Sequence, residues 1–272
     1  MKKLLQILTL AILIVACKNE PKENSAVIET DTSTSLSNQK EAITTSIYPE
    51  AITKVFDAHG GIDQWNKMKS LAFTMEKPNG KEVTKTNLQT RAELIDTPKY
   101  TQGFDGETLW IKEKAGSEYN GKPMFYKGLM MYFYAMPFIV GDDGIIYEEA
   151  EPLTFEGKTY PSILISYEAG IGESPDDEYI IYYDSETGQM QWLAYTVTFG
   201  KDGKSNEFKF IRYNNWQTVN GLVVPKSVDW YTYENNQPIE KRNTVEFTDV
   251  MISEKFPDTS IFEKPEDAKV IE

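Results

Sequence analysis

Tyr179-Ile180-Ile181-Tyr182-Tyr183 is a run of strand length with no polar face. Side chains of a strand point alternately to its two sides. A sheet with one wet side alternates apolar with polar, so a run that is apolar on both sides needs cover on both. Elsewhere the alternation continues. Leu71, Phe73 and Met75 alternate with Ala72, Thr74 and Glu76. Leu193, Tyr195, Val197 and Phe199 alternate with Trp192, Ala194, Thr196 and Thr198. Val228, Trp230 and Thr232 alternate with Asp229, Tyr231 and Tyr233. Asn79-Gly80, Asp105-Gly106 and Asp202-Gly203 are hairpin-turn signals between such runs. The pattern predicts a long antiparallel meander with aromatic residues on both of its faces.

The segment best suited to cover such a sheet is Met124 to Val140. As a helix it is apolar nearly all round, which predicts burial on more than one side. Pro137 stops or kinks it, and it is too short and interrupted to span a bilayer. Methionine and aromatic side chains form adaptable surfaces for greasy ligands. The same residues also suit an ordinary core helix, and the two readings stay open at this point. In the first, Met130, Met131, Tyr134 and Phe138 line an apolar pocket, and Trp110 joins them from the strand Thr108-Leu109-Trp110-Ile111.

Ahead of the meander, Pro49 suits the first turn of a helix. Ile52, Val55, Phe56 and His59 fall on one helical face, and Gly60-Gly61 stops the helix. A second short turn, Asp63 to Met68, carries Trp65.

The chain opens with Lys2 and Lys3, followed by an apolar run from Leu4 to Ala16 broken only by Gln6 and Thr9. Such a run fits the hydrophobic region of a secretory signal rather than a membrane span, which takes about 20 apolar residues. It ends in Ile14-Val15-Ala16-Cys17, which resembles the bacterial lipobox, with Ile14 in place of the usual leucine. That resemblance implies cleavage before Cys17, a diacylglyceryl thioether on its sulfur and an acylated amino group. Residues 1–16 then form the leader. Residues 17–45 form the lipidated cysteine and a tether, rich in Ser, Thr, Asn, Glu and Lys, that cannot bury enough apolar surface to fold. The expected place is the outer membrane, lipid-anchored, facing the periplasm or the cell surface.

Residue usage removes several classes of function. Cys17 is the only cysteine, so once it is lipidated the chain has no disulfide, no CxxC pair and no thiol nucleophile. His59 is the only histidine, which excludes HExxH and every zinc site built on several histidines. The formal net charge is −14, and loss of Lys2 and Lys3 with the leader makes it more negative. No phosphate-neutralising face for nucleic acid is expected. Anionic headgroups would repel such a chain, so the lipid on Cys17 is what holds it to the membrane.

Motifs for catalysis fare no better. Gly116-Ser117-Glu118-Tyr119-Asn120-Gly121-Lys122-Pro123 approaches the phosphate-binding loop, but Pro123 stands where a magnesium-binding hydroxyl belongs. There is no GxSxG elbow. His59, beside the helix stop, reads as a packing or helix-terminal residue, a place that favours its positive form. Glu173-Ser174-Pro175-Asp176-Asp177-Glu178 is the densest carboxylate cluster. It reads as a solvated loop, with a weak cation site at Asp176 and Asp177 as the open alternative. Glu50 and Asp57 have no partner visible in sequence. No catalytic residue, metal or cofactor is expected, and the chain is not read as an enzyme.

Three stretches carry a resemblance. They are Tyr213-Asn214-Asn215-Trp216-Gln217-Thr218-Val219-Asn220-Gly221-Leu222-Val223-Val224-Pro225, then Pro257-Asp258-Thr259-Ser260-Ile261-Phe262-Glu263-Lys264-Pro265, and Ala58-His59-Gly60-Gly61-Ile62-Asp63-Gln64-Trp65 with Lys69-Ser70-Leu71. Together they resemble the LolA/LolB-like lipoprotein-carrier superfamily. The resemblance implies an α+β, mostly antiparallel fold over residues 46–268. Its strongly curved sheet is an incomplete barrel, with helices plugging the concave face and an apolar cavity for acyl chains. The soluble carrier of that superfamily has no lipid anchor, so this chain is nearer in plan to an anchored acceptor. The function so implied is a membrane-anchored lipoprotein that binds a lipid, an acyl chain or a lipoprotein. The alternative is an interaction or scaffold lipoprotein of the cell envelope with a filled core. Fold alone decides neither.

Overall fold

The computed structural model describes residues 47–168, 174–201 and 203–271. The leader (1–16), Cys17, the tether (17–45), Glu173 and Asp202 lie outside the described residues.

Helix α1 (Glu50–Ala58) buries Ile52, Val55 and Phe56. Gly60 and Gly61 end it at φ 99° and 90°, and their N–H groups return to Asp57 O (3.1 Å) and Phe56 O (2.8 Å), which satisfies carbonyls the helix leaves open. Helix α2 (Ile62–Lys67) follows and buries Trp65. Five strands then run as a meander: β1 (Ser70–Lys77), β2 (Gly80–Asn87), β3 (Glu93–Asp96), β4 (Tyr100–Phe104) and β5 (Leu109–Glu113). After two short helices, α3 (Pro123–Tyr126) and α4 (Leu129–Ala135), and a 3₁₀ turn at Phe138–Gly141, a second series begins. It comprises β6 (Ile145–Glu149), β7 (Leu153–Phe155), β8 (Lys158–Tyr160), β9 (Ser162–Tyr167), β10 (Tyr179–Tyr183), β11 (Met190–Tyr195), β12 (Lys209–Val219), β13 (Leu222–Glu234), β14 (Gln237–Glu246), β15 (Thr248–Ser253) and β16 (Lys269–Val270).

The strands form two seven-stranded sheets, ordered β15-β1-β2-β3-β4-β5-β16 and β14-β13-β12-β11-β10-β9-β6, with β7-β8 as a separate hairpin. Nearly contiguous strands join the two. β14 pairs with β13 in one sheet, and β15, one residue later, pairs with β1 in the other. Phe247 sits at that switch, buried, its N–H bonded to Lys226 O at 2.9 Å. The result is a strongly curved antiparallel wall that ends at β16 and β6 without closing. It is the incomplete barrel expected from the sequence.

Helices fill the hollow of this wall. One core cluster joins Ile52 and Phe56 of α1, Met131 and Tyr134 of α4, Leu71, Phe73 and Met75 of β1, and Ile181, Leu193, Ile211 and Val228 of the second sheet. Phe138 stacks on Trp65 at 5.0 Å and 8°. Tyr134 stacks on Phe73 at 4.9 Å and meets Phe247 edge-on at 4.8 Å. Burial of this order, at about 25 cal/mol per Å², holds the sheet in its curved form.

Two expectations change. The segment Met124 to Val140 is not one helix. Gly128 takes the left-handed conformation, φ 72°, and Pro137 has no N–H to continue a helical ladder, so the chain makes two short helices and a 3₁₀ turn. Nor does this segment cover the second face of the two-faced strands. It fills the concave side, while the convex side is covered by the β7-β8 hairpin. There Leu153, Phe155 and Tyr160 pack on Tyr182, Trp192, Phe210 and Tyr231, with Phe155 edge-on to Trp192 at 4.8 Å. Its turn, Glu156-Gly157, uses φ 51° and 78°, which a two-residue hairpin loop demands.

Candidate functional site

At one end of the hollow the packing is incomplete. A cavity of about 400 Å³ lies between the α3-α4 segment and the concave face of the second sheet, inside the roughly 300–1,000 Å³ range of small-ligand sites. Strand register places much of its far wall. Tyr179 pairs with Tyr195, and Tyr195 with Lys209, so these three side chains form one row across β10, β11 and β12, and all three line the cavity. Tyr167 adjoins the row, its ring 6.2 Å from that of Tyr179. Phe133 projects from α4 against it, 5.0 Å from Tyr195 and 5.9 Å from Trp230.

The near wall explains why there is space. α4 buries Met130, Met131, Phe133, Tyr134 and Ala135, whereas α3 buries none of its four residues. The left-handed backbone at Gly128 separates α3 from α4. Polar bonds tie this segment to the first sheet. The Tyr126 hydroxyl donates to Glu82 Oε1 at 2.5 Å, Gly128 N–H donates to Glu93 Oε2 at 2.8 Å, and Gln102 Nε2 donates to Pro123 O at 3.3 Å. Phe125 and Phe199 meet at 5.6 Å. Met124 and Phe199 are 41% and 39% exposed, so they form an apolar mouth. Burial pushes the Tyr167 and Tyr179 hydroxyls well above the usual tyrosine range, so both stand as neutral donors at every ordinary pH.

The residues singled out in the sequence divide among three places. Met130 and Met131 line the cavity. Tyr134 and Phe138 face the packed centre, on Phe73 and Trp65. Trp110 lies in the first sheet, its indole N–H donating to Phe262 O at 2.9 Å, its ring over Gly103, where an added Cβ would fall 2.1 Å from it. The cavity wall therefore does not include Tyr134, Phe138 or Trp110. It does include Phe125, Phe133, Tyr179, Tyr195 and Trp230. Of these, Tyr179, Tyr195 and Trp230 lay in the apolar and alternating runs, and Phe125 and Phe133 in the segment Met124 to Val140, so each carried a sequence signal, though none marked a cavity.

Asp177, in the acidic loop, also touches the cavity. Its Oδ1 accepts from Thr198 N–H at 2.6 Å and Thr198 Oγ at 2.8 Å, so the carboxylate clips two loops together. Burial raises its pKa above the usual carboxylate value, and the Thr198 bonds oppose that rise. Among the described residues no three His, Cys, Asp or Glu side chains are grouped to hold a metal, and no helix is long and apolar enough to cross a membrane.

His59 is fully buried. Its Nδ1 lies 2.8 Å from Val223 O and its Nε2 accepts from Met190 N–H at 3.1 Å. The pair of bonds assigns the proton to Nδ1. Burial lowers its pKa to about 4, so the helix-terminal position does not favour the positive form, as its place in the sequence suggested. Both ring nitrogens are taken by backbone groups, which leaves none to act on a substrate.

Two of the three stretches that carried the resemblance meet in the fold. An added Cβ on Gly60 would fall 2.2 Å from Gly221 O, and Gln64 Nε2 donates to Asn220 O at 3.0 Å. The α1-α2 corner thus docks on the Asn220-Gly221 turn, while the Pro257–Pro265 stretch supplies the Phe262 carbonyl to Trp110.

Solved structures are similar to the chain at low identity. One is a LolA superfamily protein from Nitrosomonas europaea, at 10% identity and TM-score 0.42, covering 72% of this chain and 88% of that one. Another is a DUF1329 family protein from Desulfovibrio piger, at 9% identity and TM-score 0.43, covering 75% and 93%. A third is the lipoprotein LppX of Mycobacterium tuberculosis, at 9% identity and TM-score 0.24, covering 53% and 85%. No curated protein matches the chain in sequence. Residues 111–254, more than half of the chain, match the family described as a family of unknown function (DUF6503), and the chain belongs to that family.

Proposed function

We propose that the chain is a lipoprotein of the cell envelope, anchored through Cys17, that binds one hydrophobic ligand without catalysis. The ligand is a lipid or acyl chain, held between α3-α4 and the Tyr179-Tyr195-Lys209 row. The observation that carries this reading is the cavity itself, walled by Met130, Met131, Phe133, Tyr179, Tyr195 and Trp230. An apolar pocket with a few polar groups at its edge is the usual form of a ligand site, and burying a chain of methylenes there contributes about 0.8 kcal/mol each. The anchor keeps the binding domain at a membrane, where such ligands are found. A second reading, an interaction lipoprotein with a filled core, draws on the close packing of Tyr134, Phe138, Trp65 and Phe73. Native mass spectrometry of protein purified without detergent separates the two. A bound species that leaves on delipidation and returns with added lipid is the expected result. Protein that stays at its bare mass with every lipid offered favours the interaction reading.

A further inference from the structure

Resting on that reading, we propose that the cavity selects an amphiphile with an acidic headgroup, a carboxylate or phosphate monoester on a single acyl chain. Arg91 receives the headgroup, and Lys209 adds to the positive field. Among the described residues, the charged side chains lining the cavity are three cations, Arg91, Lys127 and Lys209, against Asp177. The chain as a whole has the opposite balance, 28 basic residues against 42 acidic. Asp177 is already engaged by the backbone and hydroxyl of Thr198. Lys127 lies over the Phe104 ring, its Nζ 3.9 Å from the centroid. Glu93 stands behind that wall with Oε2 on Gly128 N–H. Lys209 closes the Tyr179-Tyr195 row, and among the described residues no carboxylate lies within ion-pair distance of it.

Arg91 has the features of a residue held for a purpose. It adopts φ 59°, a left-handed backbone uncommon outside glycine and retained where surrounding structure imposes it. The surrounding structure here is Asn87, whose Oδ1 takes Gln89 N–H (3.0 Å) and Thr90 N–H (3.3 Å) and whose carbonyl takes Arg91 N–H at 2.9 Å. Asp142 fixes the guanidinium through Nη2 at 2.5 Å. Nη1 is buried and, among the described residues, has no acceptor, a costly state for a charged donor. No ligand atom can reach Nη1 where it stands, so the guanidinium must turn about its Asp142 bond and bring that arm onto a carboxylate or phosphate oxygen at the cavity wall. Low-dielectric walls strengthen the attraction for a charge of opposite sign. The volume, about 400 Å³, is near the small end of ligand sites, which favours one chain over several.

The test compares three probes with the same acyl chain: palmitate, 1-palmitoyl-lysophosphatidate and the neutral 1-monopalmitin. Affinities are read by titration calorimetry at fixed salt below the micelle limit. Both acids should bind at least about tenfold tighter than monopalmitin. Whichever acid binds tighter identifies carboxylate or phosphate as the native headgroup. R91Q should remove most of that advantage and leave monopalmitin within about twofold. R91K keeps the charge without the fork and should fall between. If R91Q does not fold, K209Q, on the half-buried end of the row, carries the test through a smaller loss of the same kind. Equal binding of acids and monopalmitin overturns the proposal and leaves the hydrophobic-ligand reading standing. A gap that survives in both R91Q and K209Q does the same. No binding of any probe overturns both.

Discussion

His59 and Val223 hold each other by two hydrogen bonds: the imidazole Nδ1 donates to Val223 O at 2.8 Å, and Val223 N–H donates to His59 O at 2.9 Å. The ring's other nitrogen reaches Met190 N–H at the start of β11. One side chain thus ties the end of α1 to two strands, β11 and β13. Trp216 meets the ring edge-on at 4.4 Å.

A pH dependence of stability follows. Burial lowers the His59 pKa to about 4 from 6.5. Between those values the unfolded chain binds a proton that the folded chain does not, so stability rises with pH across the window. The contribution is complete above pH 6.5 and is lost as pH falls toward 4. Its size is roughly 3 kcal/mol, at 1.36 kcal/mol per pKa unit. Urea midpoints measured from pH 7 to 4 should fall steadily in the native chain. In H59Q that slope should flatten, with a lower starting stability of about 1–3 kcal/mol from the strained or lost bonds.

Gly60 and Gly61 offer a matched pair. Both have positive φ, so alanine strains the backbone at either place. At Gly60 the new Cβ would also strike Gly221 O at 2.2 Å, whereas at Gly61 nothing lies within 4 Å. G60A should therefore cost at least about 1 kcal/mol more than G61A, because it drives the α1-α2 corner off the hairpin turn. Chemical denaturation of the two variants decides it, and equal losses would mean that the corner does not bear on that turn.

Local signals were readable in the sequence because they are settled by neighbours along the chain. The face Ile52, Val55, Phe56 and His59, the Gly60-Gly61 stop and the Asn220-Gly221 turn all need only a few adjacent residues. The β7-β8 cover was missed because each strand has three residues, too few to display an alternation. Phe199 continues the alternation of Leu193 and Tyr195 on paper. In the fold strand β11 ends at Tyr195, and Thr198 gives its N–H to the Asp177 carboxylate rather than to a strand. The cavity wall was legible in part. Whether Met131 or Tyr134 faces an open space depends on the direction of α4, which the turn at Gly128 and the position of Phe247 decide. Neither is a local property.

Trp110 separates a structural from a binding role. Its ring covers Gly103 and its N–H holds the Phe262 carbonyl, and it is not among the residues that line the cavity. W110F should cost about 1–3 kcal/mol through the orphaned carbonyl, with no change in the affinity of the folded protein for an acyl probe. Loss of binding at unchanged melting temperature would put Trp110 in the ligand path.

Cys17 tests the anchor. C17A should move the protein from the membrane to the soluble fraction of cells that express it. The comparison needs a high-salt wash, which screens charge but leaves acyl insertion untouched. Retention of C17A on washed membranes would remove the lipid from the account.

The last prediction sets the cavity against the core beside it. Val197 lines the cavity, is half-buried and lies beyond the end of β11. V197W should place its ring in the empty volume. Overpacking a filled core costs about 1–3 kcal/mol, but a void accepts the added atoms, so Tm should move by less than about 4 °C. Acyl-probe affinity should fall at least about tenfold. Tyr134, one turn along α4 from the wall residue Met130, has no exposed surface and packs on Phe73 and Phe247. Y134A should cost about 3–5 kcal/mol and leave the affinity of the remaining folded protein intact. Opposite effects of the two changes on stability and binding are what a real cavity requires. If V197W instead unfolds the chain, or binds its probe as the native protein does, the space beside Met131 is not where the ligand sits.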